Sequence, residues 1–204
     1  MTEKIHILIL NGTLKAGSET SSTEALAQEL SKEFPSETST VETVRLVDLS
    51  ILPGISDDLG DGDAWPALRQ RILEADVVVF ATPTWLGQMT SVMRRALERL
   101  NADISTRDDH GRPLFAGKVA AALVVGNEDG AHRIVADLLQ AANDLAFSVP
   151  ANACTYWNGR AMEQVNFVDL TETPEPVAAA NRGLAANALH LARLLRAHPY
   201  PAAE

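Results

Sequence analysis

The chain has 204 residues, 46% of them apolar, and this length and composition favour one domain, residues 1–204, around one hydrophobic core. Its formal net charge of −10 argues against a nucleic-acid partner, because affinity for the phosphate backbone comes from clustered lysine and arginine. The sequence has no run of roughly 18 apolar residues and no signal-peptide pattern, so we expect a cytoplasmic protein without a membrane partner. Cys154 is the only cysteine, which excludes an intrachain disulfide and a four-cysteine metal or iron–sulfur site.

Short apolar runs alternate along the chain with helical patterns. The runs predict parallel strands buried on both faces, at residues 5–10, 41–47, 77–81 and 119–125, with a short fifth strand around 147–149. Residues 150–175 are expected to be irregular. Between the strands, apolar residues three or four positions apart predict helices that each pack one stripe on the sheet. These stripes include Leu26 and Leu30, Leu68 and Ile72, Met93 and Leu97, Ile134 and Leu138, and finally Leu184 and Leu195.

The alternation of strand and helix predicts a doubly wound α/β fold with right-handed crossovers. Five strands suit a flavodoxin-like parallel sheet in the order 2-1-3-4-5. In that order a ligand lies at the carboxyl ends of strands 1 and 3.

The first predicted strand runs into a hydroxyl-rich, glycine-containing loop that opens a helix. Its hydroxyls, its backbone N–H groups, one lysine and the positive end of the helix can converge on a phosphate. The candidate phosphate ligands are Thr13, Lys15, Ser18, Thr20, Ser21 and Ser22. A Walker loop is excluded because Ser18 and Glu19 follow Gly17, and a Rossmann fingerprint is excluded because the loop lacks three closely spaced glycines. The loop therefore suits a monophosphate. The alternative is a simple capping box, with Ser21 as N-cap and Glu24 reaching back to it.

The loops after the third and fourth predicted strands lie at the same sheet edge. Trp85 offers a flat apolar wall for a planar ring, or else simply covers the end of the sheet. Glu128 and Asp129 are explained by default as groups that stabilise a helix N-terminus. His132 lies just inside that helix and is expected to be a surface or capping group.

Three arginines, Arg94, Arg95 and Arg99, form a basic cluster beside Glu98. Their helical spacing favours a solvated helix face.

The chain shows no nucleophile with a partner base and no H-E-x-x-H or C-x-x-C spacing. A bound cofactor is therefore expected to perform the chemistry.

Three motifs, residues 12–15, 82–87 and 126–132, resemble in order and spacing the NAD(P)H-dependent FMN reductases of the flavodoxin-like superfamily, over residues 4 to about 160. The resemblance implies FMN and NAD(P)H as cofactors, with the FMN phosphate on the six residues of the first loop. It implies that the flavin ring contacts Pro83, Thr84, Trp85, Leu86 and Gly87, and is bordered by Asn127, Glu128, Asp129 and Gly130, with Thr155, Tyr156 and Trp157 as possible further wall residues.

The resemblance also implies an enzyme that takes hydride from NAD(P)H and passes electrons to a quinone, a flavin or a similar small-molecule acceptor. No side chain is expected to act as an acid or base. One alternative is a flavodoxin-type electron carrier that does not react with nicotinamide, and another is an FMN-free relative whose loops bind a different anion. Because related flavoproteins cover the open flavin face with a neighbouring subunit, a homodimer or homotetramer is expected.

Overall fold

The computed structural model describes residues 3–159 and 161–202. Five parallel strands form one sheet in the order β2-β1-β3-β4-β5, which confirms the predicted flavodoxin-like topology. The strands are β1 Ile5–Asn11, β2 Ser39–Arg45, β3 Val77–Pro83, β4 Val119–Val125 and β5 Cys154–Trp157. The helices are α1 Ser22–Lys32, α2 Trp65–Glu74, α3 Ser91–Leu100, α4 Ala131–Asp144 and α5 Glu175–Ala197.

Both faces of the sheet are buried, which explains why the central strands are apolar at nearly every position. In β1, Leu8 and Leu10 pack in the cluster that contains residues of α2, α3 and α4. Ile7 and Ile9 point the opposite way, into the cluster that contains residues of α1 and α5. Because successive side chains along a strand point to opposite faces of the sheet, each of these strands contributes residues to two separate cores.

The prediction of the fifth strand at residues 147–149 is wrong. Phe147 is a core residue whose ring stacks on Phe115 at 4.8 Å, and Ser148 makes only an isolated bridge to Val119. Pro150 has no N–H and so cannot donate to a sheet ladder, which stops this segment from extending as a strand. β5 instead begins at Cys154, within the stretch that was expected to be irregular, and its buried and half-buried residues alternate.

The prediction of a solvated face is also wrong for Arg99. The side chains of Arg99 and Asp63 are both 0% exposed, and their Nη2 and Oδ2 atoms lie 2.7 Å apart. The Arg99 guanidinium also donates to the carbonyl groups of Leu52 and Ser56, in the loop before α2, and lies 5.4 Å from the centre of the Trp65 ring. Arg94 does form an exposed pair with Glu98, as its spacing indicates. Arg99 differs because its partner comes from a loop that is distant in sequence.

Candidate functional site

A cleft lies at the carboxyl edge of the sheet, among the loops that follow β1, β3, β4 and β5. It holds about 680 Å³ of empty space, part of which is open to solvent. Its wall consists of Thr13, Leu14, Lys15, Ser21, Ser22, Thr23, Pro83, Thr84, Trp85, Val125, Gly126, Asn127, Glu128, Trp157, Asn166 and Phe167. The strand order thus brings the three predicted loops together.

Most of the predicted site residues line this cleft, but some lie outside its wall. The predicted residues in the wall are Thr13, Lys15, Ser21, Ser22, Pro83, Thr84, Trp85, Asn127, Glu128 and Trp157. Those outside it are Ser18, Thr20, Leu86, Gly87, Asp129, Gly130, Thr155 and Tyr156. Sequence reasoning missed Asn166 and Phe167, because they reach the cleft from a loop with no motif.

The first loop is held by hydrogen bonds among its own side chains and backbone. The side-chain oxygen of Asn11 accepts from the Thr13 N–H at 3.0 Å, and the Thr13 hydroxyl accepts from the Lys15 N–H at 3.3 Å. The Lys15 ammonium donates to the Thr20 carbonyl at 2.6 Å. Thr20 therefore contributes its backbone carbonyl to these hydrogen bonds, and Lys15 is held in the wall of the cleft.

Ser21 begins α1 as its N-cap, and its hydroxyl accepts from the Glu24 N–H at 3.3 Å. Ser22 and Thr23 are the first helical residues, so their N–H groups have no intrahelical partner. Both residues line the cleft at the positive end of the helix. The second half of the capping box, which was the alternative interpretation of this loop, does not form, because the Glu24 carboxylate binds Arg45 instead.

The loop after β3 makes a tight two-residue turn. Trp85 and Gln88 exchange two backbone hydrogen bonds of 3.0 Å, and both residues between them have positive φ, 52° at Leu86 and 69° at Gly87. Trp85 is 59% exposed and Leu86 is 91% exposed. A leucine in the left-handed region is strained, so other contacts must hold this turn in place.

The loop after β4 supplies one of these contacts. The Glu128 carboxylate accepts from the Leu86 N–H at 2.9 Å. This N–H group therefore already has a hydrogen-bond partner, and Glu128 does not cap α4. Helix α4 begins at Ala131 with Gly130 as its N-cap. A Cβ added to Gly130 would lie 2.7 Å from the Gly87 Cα, so only glycine permits this close approach of the two loops.

The polar and aromatic parts of the cleft match the two parts of FMN. The hydroxyls, the helix N-terminus and Lys15 provide donors for a phosphate. Trp85 and Trp157 provide aromatic surface, and the Trp157 ring meets Phe167 edge-on at 5.6 Å. The Thr84 hydroxyl is buried without a partner among the described residues, and a polar ligand atom would satisfy it.

Two other candidates lie away from the cleft wall. His132 lies in the first turn of α4, and its Nε2 is 2.8 Å from the Tyr156 hydroxyl. The Cys154 thiol is half-buried, and this burial raises its pKa above the ordinary value. Within residues 3–159 and 161–202, no group of three or more His, Cys, Asp or Glu side chains is placed to hold a metal ion.

The chain is similar to several characterised proteins. It is 36% identical over 204 residues to the 8-demethyl-8-aminoriboflavin-5'-phosphate synthase of Streptomyces davaonensis, covering 95% of this chain and 79% of that protein. It superimposes with a TM-score of 0.87 and 34% identity on the crystal structure of RosB with bound 8-demethyl-8-formylriboflavin-5'-phosphate, covering 96% of this chain and 82% of that one.

A third relative is much longer than this chain. The divalent metal cation transporter MntH of Mycobacterium bovis is 32% identical over 200 residues, and the match covers 95% of this chain but only 29% of that protein. Within residues 3–159 and 161–202, no helix is both long enough and apolar enough to cross a membrane.

The model of the NADPH-dependent FMN reductase family matches residues 5–162, which include strands β1 to β5 and the loops that follow β1, β3 and β4. The two flavin-phosphate relatives agree with this match across nearly the whole chain. The chain therefore belongs to the NADPH-dependent FMN reductase family and is an oxidoreductase that uses FMN with NAD(P)H.

Proposed function

We propose that the cleft binds FMN between the first loop and the aromatic wall, and that the enzyme uses NAD(P)H in the cytoplasm to reduce a small-molecule acceptor such as a quinone or another flavin. The observation that carries this proposal is the meeting, in one cleft, of a hydroxyl-lined helix N-terminus with Trp85 and Trp157. FMN, when bound, supplies the ring that accepts hydride. The protein binds the phosphate, orients the ring and excludes water.

Each part of the cleft has a separate task in this proposal. The Ser22 and Thr23 N–H groups, with Lys15, bind the phosphate dianion through charge-assisted hydrogen bonds. Trp85 and Trp157 limit the space for the ring, and the Thr84 hydroxyl offers it a buried polar contact. None of these side chains needs to move a proton for hydride transfer to take place.

Calorimetry with FMN and riboflavin tests the phosphate site. FMN is expected to bind at about one per chain and much more tightly than riboflavin, because only FMN engages the helix N-terminus. Replacing Lys15 with alanine is expected to weaken FMN binding by about 1–3 kcal/mol and to leave riboflavin binding unchanged. Lys32→Ala, at the far end of α1 and paired with Glu29, is the control and should change neither affinity. Equal affinities for FMN and riboflavin would contradict the assignment of the loop.

A second candidate function is supported by the relatives whose names include modified flavins. The 36% identical protein is called a synthase of an aminoriboflavin phosphate, and RosB was solved with a formylriboflavin phosphate bound. In this alternative the flavin phosphate in the cleft is a substrate, and its ring changes composition. Mass spectrometry of the flavin recovered after NADPH turnover distinguishes the two, since a cofactor returns with the mass of FMN and a substrate does not.

We also propose that the working unit is a homodimer or homotetramer. The large apolar residues near the cleft that are well exposed in the single chain include Trp85, Leu86 and Met162. A second subunit would cover them in a closed symmetric assembly. Light scattering should therefore give a mass of at least twice 21.9 kDa. A mass near 21.9 kDa with NADPH oxidation intact would show that one chain suffices.

A further inference from the structure

We propose that Arg45 is a positioning residue, which orders the phosphate loop (residues 12–21) before the ligand arrives and thereby sets the preference for FMN over riboflavin. This inference rests on the proposed function of the cleft. Arg45 is the last residue of β2 and lies beside Asn11, the last residue of β1, in the register of the sheet. It is absent from the cleft wall, so it acts through the loop and not on the ligand.

The Arg45 guanidinium connects both halves of the phosphate loop to α1. Its Nη1 donates to the Lys15 carbonyl at 3.1 Å and its Nη2 to the Glu19 carbonyl at 3.0 Å. Its Nε donates to the Glu24 carboxylate in the first turn of α1. The Arg45 side chain is only 12% exposed. One planar group therefore fixes the distance between two parts of the loop and the helix that binds the phosphate.

Two further contacts extend this arrangement. The Glu24 carboxylate is 3.5 Å from the Asn11 side-chain nitrogen, and the Asn11 oxygen accepts from the Thr13 N–H, so the same network reaches the start of the loop. The Asp48 carboxylate accepts from the Gly17 N–H at 2.8 Å, at the loop tip. The end of β2 and the turn after it therefore form a support for the loop, whose residues 14–20 are exposed.

The role of Arg45 is geometric because its charge is already matched by that of Glu24. A loop ordered in advance loses less conformational entropy when the ligand binds, which favours the ligand that has a phosphate to place in it. The planar guanidinium donates in three directions at once, whereas a lysine ammonium is a point charge on a flexible stem. Arg45→Lys therefore keeps the positive charge but loses the hydrogen bonds in three directions. This variant distinguishes positioning of the loop from electrostatic attraction alone.

The test compares Arg45→Lys and Arg45→Ala with Arg71→Ala. Arg71 is the matched control because it donates to Glu42 of the same strand, but its pair lies away from the loop. Amide hydrogen exchange of the ligand-free protein should be at least about tenfold faster in residues 13–20 of both Arg45 variants, the effect of losing one charge-assisted hydrogen bond. Exchange in β3 should stay unchanged. The ratio of the FMN to the riboflavin affinity should fall by about the same factor.

The inference would be overturned if Arg45→Lys kept the wild-type exchange rates in residues 13–20 and the wild-type ratio of FMN to riboflavin affinity. This holds even if Arg45→Ala were impaired, since a positive charge alone would then be enough to order the loop. If Arg45→Ala does not fold, Glu24→Gln provides a second variant, because it weakens the same network and should also speed loop exchange. A wild-type protein that binds no FMN would overturn the proposed function, and the exchange data from the ligand-free protein would then decide the role of Arg45 by themselves.

Discussion

Replacing Asp63 with alanine is expected to lower the free energy of unfolding by about 3–5 kcal/mol, because it leaves a buried cation without its partner. The side chains of Asp63 and Arg99 are both fully buried, and the Asp63 carboxylate also accepts from the Leu52, Leu59 and Trp65 N–H groups. Denaturant unfolding monitored by circular dichroism measures the change. Glu98→Ala, which breaks the exposed pair with Arg94, is the control and should cost less than about 1 kcal/mol. A similarly small cost for Asp63→Ala would show that Arg99 finds another partner.

The same pair predicts how stability depends on pH. The Arg99 guanidinium holds the pKa of Asp63 at about 2, below the ordinary value of 3.8. A lowered folded-state pKa means that the contribution is fully present above pH 3.8 and is lost as the pH falls through about 2. The difference in stability between wild type and Asp63→Ala should therefore shrink between these two pH values. A difference that shrinks only near neutral pH would assign the effect to another group.

Gly130→Ala is expected to impair FMN binding by disturbing the turn that carries Trp85. The added Cβ would lie 2.7 Å from the Gly87 Cα and 3.0 Å from its carbonyl oxygen, so the two loops must separate. The strain should weaken FMN binding by about 1–3 kcal/mol in calorimetry. Gly62→Ala is a matched control, because Gly62 also has positive φ but no atom within 4 Å of the added Cβ. Equal affinities in the two variants would show that the close loop contact does not shape the cleft.

The fold was largely predictable because the strongest signals are local. The residues of β4 were predicted without error, since a strand buried on both faces is a continuous apolar run. β5 was misplaced because it is a short strand at the sheet edge that gives a weak pattern, whereas the segment at Phe147 is equally apolar and packs in the core. An apolar run alone does not distinguish a strand from another buried segment.

The candidate site was predictable in its position but not in its supports. The order 2-1-3-4-5 dictates that the loops containing Thr13, Trp85 and Asn127 meet at one edge. The supports are contacts between residues that are far apart in sequence, such as Arg45 with Glu24 and Glu128 with the Leu86 N–H. A single sequence carries no pattern that pairs them, so only the folded chain reveals them.

The most direct test of the central claim is to load the purified protein with FMN, mix it with NADPH without oxygen and follow the absorbance of the oxidised flavin. We expect rapid bleaching, faster than that of free FMN under the same conditions, and recovery of colour when a quinone is added. The recovered flavin should have the unchanged mass of FMN. Bound FMN that keeps its colour in excess NADPH would contradict the account, since the chain would then be a flavin carrier and not a reductase.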